Sequence, residues 1–191
     1  MKRIVLLISF LAALALCASA QTYIDFHDMP MAVTPSPMPD LYPSGVNLYW
    51  DSFFYVTPGT WDGAGPGFWV GPNPHDVVFV GGPMCTLAVP CSGSIKLNPL
   101  QLLPPVRFFT PVSITLSAGW LPNHVTITAF NNGTYVGAVT WALTTTPHTY
   151  QFPASWRHVS QLVFTPEFIP SHAVYSQAGS TVIYSFILMM P

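Results

Sequence analysis

Charge is what this chain has least of. Lys, Arg, Asp and Glu make up 6% of its 191 residues, where a soluble domain ordinarily carries about 25%. Long surface helices need those side chains on their wet faces, so a largely helical fold is excluded. The surface must instead be wetted by Ser, Thr, Asn, Tyr and His, or be covered by a glycan or a partner. Cations are scarcest. Once Lys2 and Arg3 leave with an N-terminal leader, Lys96, Arg107 and Arg157 remain against seven acids, a net charge of −4. Nucleic acid and anionic membranes attach through Lys and Arg, so both are excluded as expected partners.

Glutamate is reduced to Glu167 alone. A glycosidase works with two facing carboxyl groups, and here such a pair would have to be built from Asp. Nucleophile-elbow, zinc-protease and phosphate-loop motifs are all missing. His27-Asp28 and His75-Asp76 are neighbours that point to opposite faces in a strand, so neither makes a catalytic pair. The six histidines form no close group with one another or with Cys, which argues against a transition-metal centre.

Cysteine is equally sparse. Cys17 falls in the leader, leaving Cys85 and Cys91 as the one pair. With no second pair to complete a tetrahedral site, a disulfide across this short loop is expected. It closes few residues and so stabilises by only about 2 kcal/mol.

The N-terminus has the form of a secretory leader. Basic Lys2-Arg3 precedes an apolar run from Ile4 to Cys17 interrupted only by Ser9, and Ala18-Ser19-Ala20 supplies small residues for cleavage after Ala20. The run is too short for a membrane span, which takes about 20 apolar residues. Residues 1–20 therefore read as a signal peptide and 21–191 as one secreted, extracellular domain, large enough for a single core.

In that domain, segments rich in β-branched and aromatic residues alternate with Gly, Pro and Asn. Strands are expected at Thr22–His27, Val46–Val56, Val77–Val80, Val106–Thr110, Ser113–Ser117, Val125–Phe130, Tyr135–Leu143, His148–Phe152, Gln161–Thr165 and Thr181–Met189. About ten short strands with little or no helix imply an all-β, two-sheet antiparallel sandwich of jelly-roll type. The sharpest unit is the hairpin at Asn131-Asn132-Gly133-Thr134, because Asn-Gly supplies the positive φ angles of a tight turn. On its first arm Val125, Ile127 and Ala129 should face the core, with Thr126 and Thr128 on the other side. Met29–Ser44, Pro58–Pro74 and Pro83–Pro105, dense in Pro or Gly, read as loops.

Three sets of residues could carry a function. Asn132-Gly133-Thr134 is a glycosylation sequon on an exposed turn, and equally a turn and nothing more. Asp25 and Asp28, at the end of the first strand, could contribute to a structural calcium ion, and the residues point to no other cofactor. The alternative is that they solvate a turn. Trp61 and Trp69, in the glycine-rich loop, could stack on sugar rings or plug the end of the sandwich. In the Tyr49–Tyr55 run, alternation sends Leu48 and Trp50 to one face and Tyr49 to the other, making Tyr49 a third stacking candidate.

The stretches Tyr-Ile-Asp-Phe-His-Asp-Met-Pro at 23–30, Pro-Ser-Gly-Val-Asn-Leu-Tyr-Trp-Asp-Ser-Phe-Phe-Tyr-Val at 43–56 and Val112–Phe164 resemble a broad group of secreted bacterial and fungal jelly-roll domains. Those domains open with a Phe-Asp-Asp-Leu-type strand, are similar in architecture to carbohydrate-binding modules, and are mostly of unknown function. The resemblance matches Asp25 and Asp28 to an acidic first strand and Trp50 to the second-strand tryptophan. The last strand departs from the pattern. Tyr184-Ser185-Phe186-Ile187-Leu188-Met189-Met190 lacks the acid that would complete a calcium site.

These readings lead to a secreted, non-enzymatic binding module for a glycan or cell-wall polysaccharide. The alternatives are a structural protein of the cell surface or matrix that binds other proteins and, behind it, an Asp-based hydrolase.

Overall fold

The computed structural model describes residues 20–46, 48–59, 66–68, 76–81, 92–98, 108–167 and 179–191. Twelve strands pair in two antiparallel sheets, and the described residues contain no α-helix. β1 (Gln21–Ile24), β2 (Ser36–Pro37), β4 (Phe54–Val56), β5 (Val77–Val80), β7 (Thr110–Ala118), β10 (His148–Gln151) and β12 (Thr181–Met189) build a seven-stranded sheet. Its order is β10-β7-β12-β5-β4-β2, with β1 also paired to β12. β3 (Leu48–Asp51), β6 (Gly93–Leu97), β8 (Asn123–Asn131), β9 (Thr134–Leu143) and β11 (Gln161–Pro166) build a five-stranded sheet in the order β3-β6-β11-β8-β9. The expected sandwich holds.

Several boundaries differ from expectation. Val46–Val56 is two strands in different sheets, because Ser52 adopts a left-handed φ of 63° and turns the chain from one sheet into the other. Phe53, just after the turn, drops between the sheets and meets Trp50 and Phe164 edge-on at 5.3 and 5.6 Å. Ser113–Ser117 widens into β7, which takes in Thr110 from the segment expected before it. The first strand stops at Ile24, short of His27. Two of the expected loops contain strands: β2 lies in Met29–Ser44 and β6 in Pro83–Pro105. β6 is short and begins with Gly, and it is held by its neighbours β3 and β11 rather than by local propensity.

The main core lies between the sheets, from Leu48, Trp50, Ile95, Val125, Ile127 and Leu162 on one side to Val78, Ile114, Leu116, Ile183 and Phe186 on the other. Val125, Ile127 and Ala129 are fully buried, as their alternation requires. The β8–β9 hairpin turns through Asn132 (φ 47°) and Gly133 (φ 80°). Where β9 and β10 flank the gap between the sheets, Trp141 stacks on Tyr150 at 4.8 Å, and Phe152 and Trp156 pack behind them.

A second apolar cluster forms on the outer face of the seven-stranded sheet, where Val56, Val77, Phe79 and Val182 are covered by Phe68 and Trp120. This explains why β5, Val-Val-Phe-Val, is buried on both faces and shows no alternation. The turn at Pro66–Phe68 is seated by Ser117, whose hydroxyl donates to the Gly67 carbonyl at 2.9 Å, and by Tyr184, which donates to the same oxygen. Burial raises the Tyr184 hydroxyl to about pKa 12, so it remains a donor at any physiological pH. Gly67 lies so close to β7 that a Cβ there would stand 1.7 Å from the Ala118 carbonyl oxygen. Gly67→Ala should therefore lift this turn and destabilise the fold by about 1–3 kcal/mol. The expected readout is a lower urea midpoint with altered Trp120 fluorescence, and an unchanged midpoint would contradict the seating.

Candidate functional site

Among the described residues, every strand of the five-stranded sheet carries at least one partly or fully exposed side chain on its outer face, while Ser94 there is buried. Pairing register aligns Tyr49, Lys96, Gln161, Phe130 and Tyr135 in one row, each from a different strand. Four interstrand steps of about 4.8 Å make this row roughly 19 Å long. Alternation places these side chains outside because their neighbours Leu48, Trp50, Ile95, Leu162 and Ala129 are buried.

The two ends of the row differ. At one end the Phe130 and Tyr135 rings meet edge-on at 6.3 Å, and Tyr135 is 62% exposed. At the other, the Lys96 ammonium sits 4.7 Å from the centre of the Tyr49 ring and 3.9 Å from Asp51. Beside the row lie hydroxyls: Thr165, Thr126 and Thr140 align across three strands, with Thr126 and Thr140 hydrogen-bonded at 2.9 Å. The far end of the face carries His124, whose Nδ1 is 2.7 Å from Glu167.

Tyr49 thus faces outward as alternation indicates, with one face of its ring taken by Lys96. Trp61 and Trp69 lie outside the described residues, as do Cys85 and Cys91. Asn132 is exposed at the hairpin tip, where its backbone N–H donates to Ser160 Oγ at 2.8 Å. Phe130, Tyr135, Lys96 and Gln161 were not singled out as site residues by sequence reasoning. For Phe130 a signal existed, since it continues the Thr126–Thr128 alternation onto the solvent side. Lys96 offered none while its segment read as a loop.

Asp25 and Asp28 are engaged by protein groups. The Asp25 carboxylate bonds to the His27 ring, and Asp28 accepts the Tyr42 hydroxyl. Between them Phe26 is fully buried with a left-handed φ of 61°, stacked on Tyr42 at 5.6 Å and edge-on to Trp50 at 5.5 Å. Burial, with the Asp28 carboxylate beside it, raises the Tyr42 pKa and keeps its hydroxyl protonated. Among the described residues no group of three or more His, Cys, Asp or Glu is placed to hold a metal ion.

No protein-family model matches the sequence, and no curated protein matches it. Among solved structures, the chain is similar to a DUF4465 family protein from Bacteroides caccae, with 9% identity over 92% of this chain and 96% of that one and a TM-score of 0.53. It also overlaps a family 29 carbohydrate-binding module, with 11% identity over 89% of each chain and a TM-score of 0.44. A third match is the family 11 carbohydrate-binding module of a cellulosomal cellulase of Clostridium thermocellum, with 13% identity over 84% and 96% and a TM-score of 0.37. Only the first overlap is close enough to bear on this chain, and at 9% identity it bears on the fold alone. The architecture is that β-sandwich.

The Asp25–His27 pair sets a pH dependence. The Asp25 carboxylate holds the His27 pKa above 6.5. Partial burial pushes the Asp25 carboxyl upward, but hydrogen bonds and charge from His27 outweigh it and leave it below 3.8. The raised His stabilises below its unfolded value and loses that contribution as pH climbs through its folded value. The lowered Asp stabilises above its unfolded value and loses that as pH falls through its folded one. Both contributions coincide between about pH 4 and 6.5. Asp25→Asn should lower the unfolding temperature at pH 5 more than at pH 9 and bring the NMR titration midpoint of His27 down toward 6.5. A parental midpoint at or below 6.5 would contradict the pairing.

Proposed function

We propose that this chain is a secreted, non-catalytic module that binds a neutral polysaccharide on the outward face of its five-stranded sheet. The single observation that carries this reading is the row from Tyr49 to Tyr135, which combines the exposed Tyr135 and half-buried Phe130 rings with amide and hydroxyl groups. Sugar rings stack their C–H faces on aromatic rings and hydrogen-bond at their edges, and this row supplies both kinds of contact.

Charge supports a neutral ligand. The face holds Lys96 as a cation against Asp51 and Glu167, so an anionic polymer meets net repulsion. Geometry supports binding without hydrolysis. By strand register Asp51 and Glu167 lie roughly 16 Å apart, beyond the 5–9.5 Å that separates the carboxyl pair of a glycosidase. The leader-like segment at 1–20 supports secretion. No helix among the described residues is long and apolar enough to cross a membrane.

The test is a pull-down on insoluble cellulose, chitin and β-glucan, with alginate gel as the anionic control. Retention on at least one neutral matrix and not on alginate is expected. Tyr135→Ala should weaken that retention about tenfold, the loss of one aromatic contact, with an unchanged unfolding temperature. Failure of every neutral matrix to retain the protein would refute the reading.

A further inference from the structure

We propose that the corner formed by Tyr49, Lys96 and Asp51 determines which sugar this face accepts, by reading a pair of adjacent hydroxyls on one ring. The inference rests on the glycan-binding reading and deepens it.

The Lys96 ammonium and the Asp51 carboxylate stand 3.9 Å apart, too far for a direct hydrogen bond. Their side chains are 41% and 51% exposed. Lysine offers three donors and no acceptor, whereas an ionised carboxylate only accepts. Asp51 Oδ2 faces Lys96 while its Oδ1 takes the Ser52 hydroxyl at 3.3 Å. Donor and acceptor therefore stand side by side with capacity to spare. Two neighbouring sugar hydroxyls fit that gap, one accepting from Lys96 and the next donating to Asp51.

Lysine is a flexible side chain that loses much rotamer freedom when fixed. Here the Tyr49 ring holds it, with the ammonium 4.7 Å from the ring centre. Tyr49 is accordingly a positioning residue for Lys96 rather than an open stacking surface. Gln161, the next residue along the row, adds both a donor and an acceptor. Among the described residues the Phe130–Tyr135 end has no comparable ion pair, and its rings accept any sugar with an apolar face. The row is thus divided into a stacking end that supplies affinity and a polar corner that supplies discrimination.

Inverting one hydroxyl of the pair leaves Lys96 or Asp51 without its partner. A site built to hydrogen-bond a hydroxyl discriminates on that basis. Calorimetric titration with cellohexaose and mannohexaose, chains that differ in the configuration of one hydroxyl per ring, should show about a tenfold preference for one of them. Lys96→Met and Asp51→Asn should bring the ratio close to one. Tyr49→Ala should do the same while Tyr49→Phe preserves the preference, because the ring is what holds Lys96. Tyr135→Ala should weaken both chains equally. All these side chains are at least partly exposed, so thermal unfolding should stay at the parental value. Equal parental affinity for the two hexamers, or a preference that survives Lys96→Met and Asp51→Asn, would overturn the role of the corner while retention on a neutral matrix left the binding face standing. If no neutral matrix retains the protein, the underlying reading fails and the corner fails with it.

Discussion

The structure depends on burying the seven-stranded sheet from both sides. Its inner face meets the five-stranded sheet, and its outer face over β4, β5 and β12 is capped by Phe68 and Trp120. A sheet so covered needs apolar residues at consecutive positions, which is what Val-Val-Phe-Val supplies in β5. The cap in turn demands close approach of the Pro66–Phe68 turn to β7, which only a residue without a side chain permits at Gly67. The five-stranded sheet is different. Its inner residues are committed to the common core, and among the described residues its outer face carries partly exposed aromatics, threonines and a single lysine.

That asymmetry connects composition to function. With charges at 6% of the chain, solubility must come from hydroxyls and amides. Those same groups, set in strand register on a broad face, are suited to a ligand that is itself neutral and rich in hydroxyls. Specificity can then rest on few side chains. Among the described residues Lys96 is the one Lys or Arg on the face, and its ammonium stands 3.9 Å from Asp51 with both side chains partly exposed.

Much of this was legible in the sequence, where the period of the apolar residues matched a half-buried strand. Val125, Ile127 and Ala129 were assigned to the core by alternation, and Asn132-Gly133 to the turn by its dipeptide. Leu48 and Trp50 were separated from Tyr49 in the same way. What alternation could not show was the break at Ser52, because a left-handed residue other than Gly leaves no mark in composition. Nor could it find β6, a five-residue strand in a proline-rich stretch held by pairing on both sides. The outward row from Tyr49 to Tyr135 was illegible for the same reason. Its five members are scattered from residue 49 to 161 and become neighbours only through strand order, which local periodicity does not report. For Asp25 and Asp28 the sequence leaves an ion ligand and a turn-solvating acid both open, because it does not show the contacts to His27 and Tyr42 that only the fold brings.

The central claim is that the outward face of the five-stranded sheet is the binding surface. It is tested most directly by mapping backbone amide chemical-shift changes while titrating a soluble neutral oligosaccharide taken from a polymer that retains the protein. The account predicts the largest changes along β3, β6, β11, β8 and β9, concentrated at Tyr49, Lys96, Gln161, Phe130 and Tyr135. Changes concentrated instead on the seven-stranded sheet or around Pro66–Phe68, with that row unmoved, would contradict it.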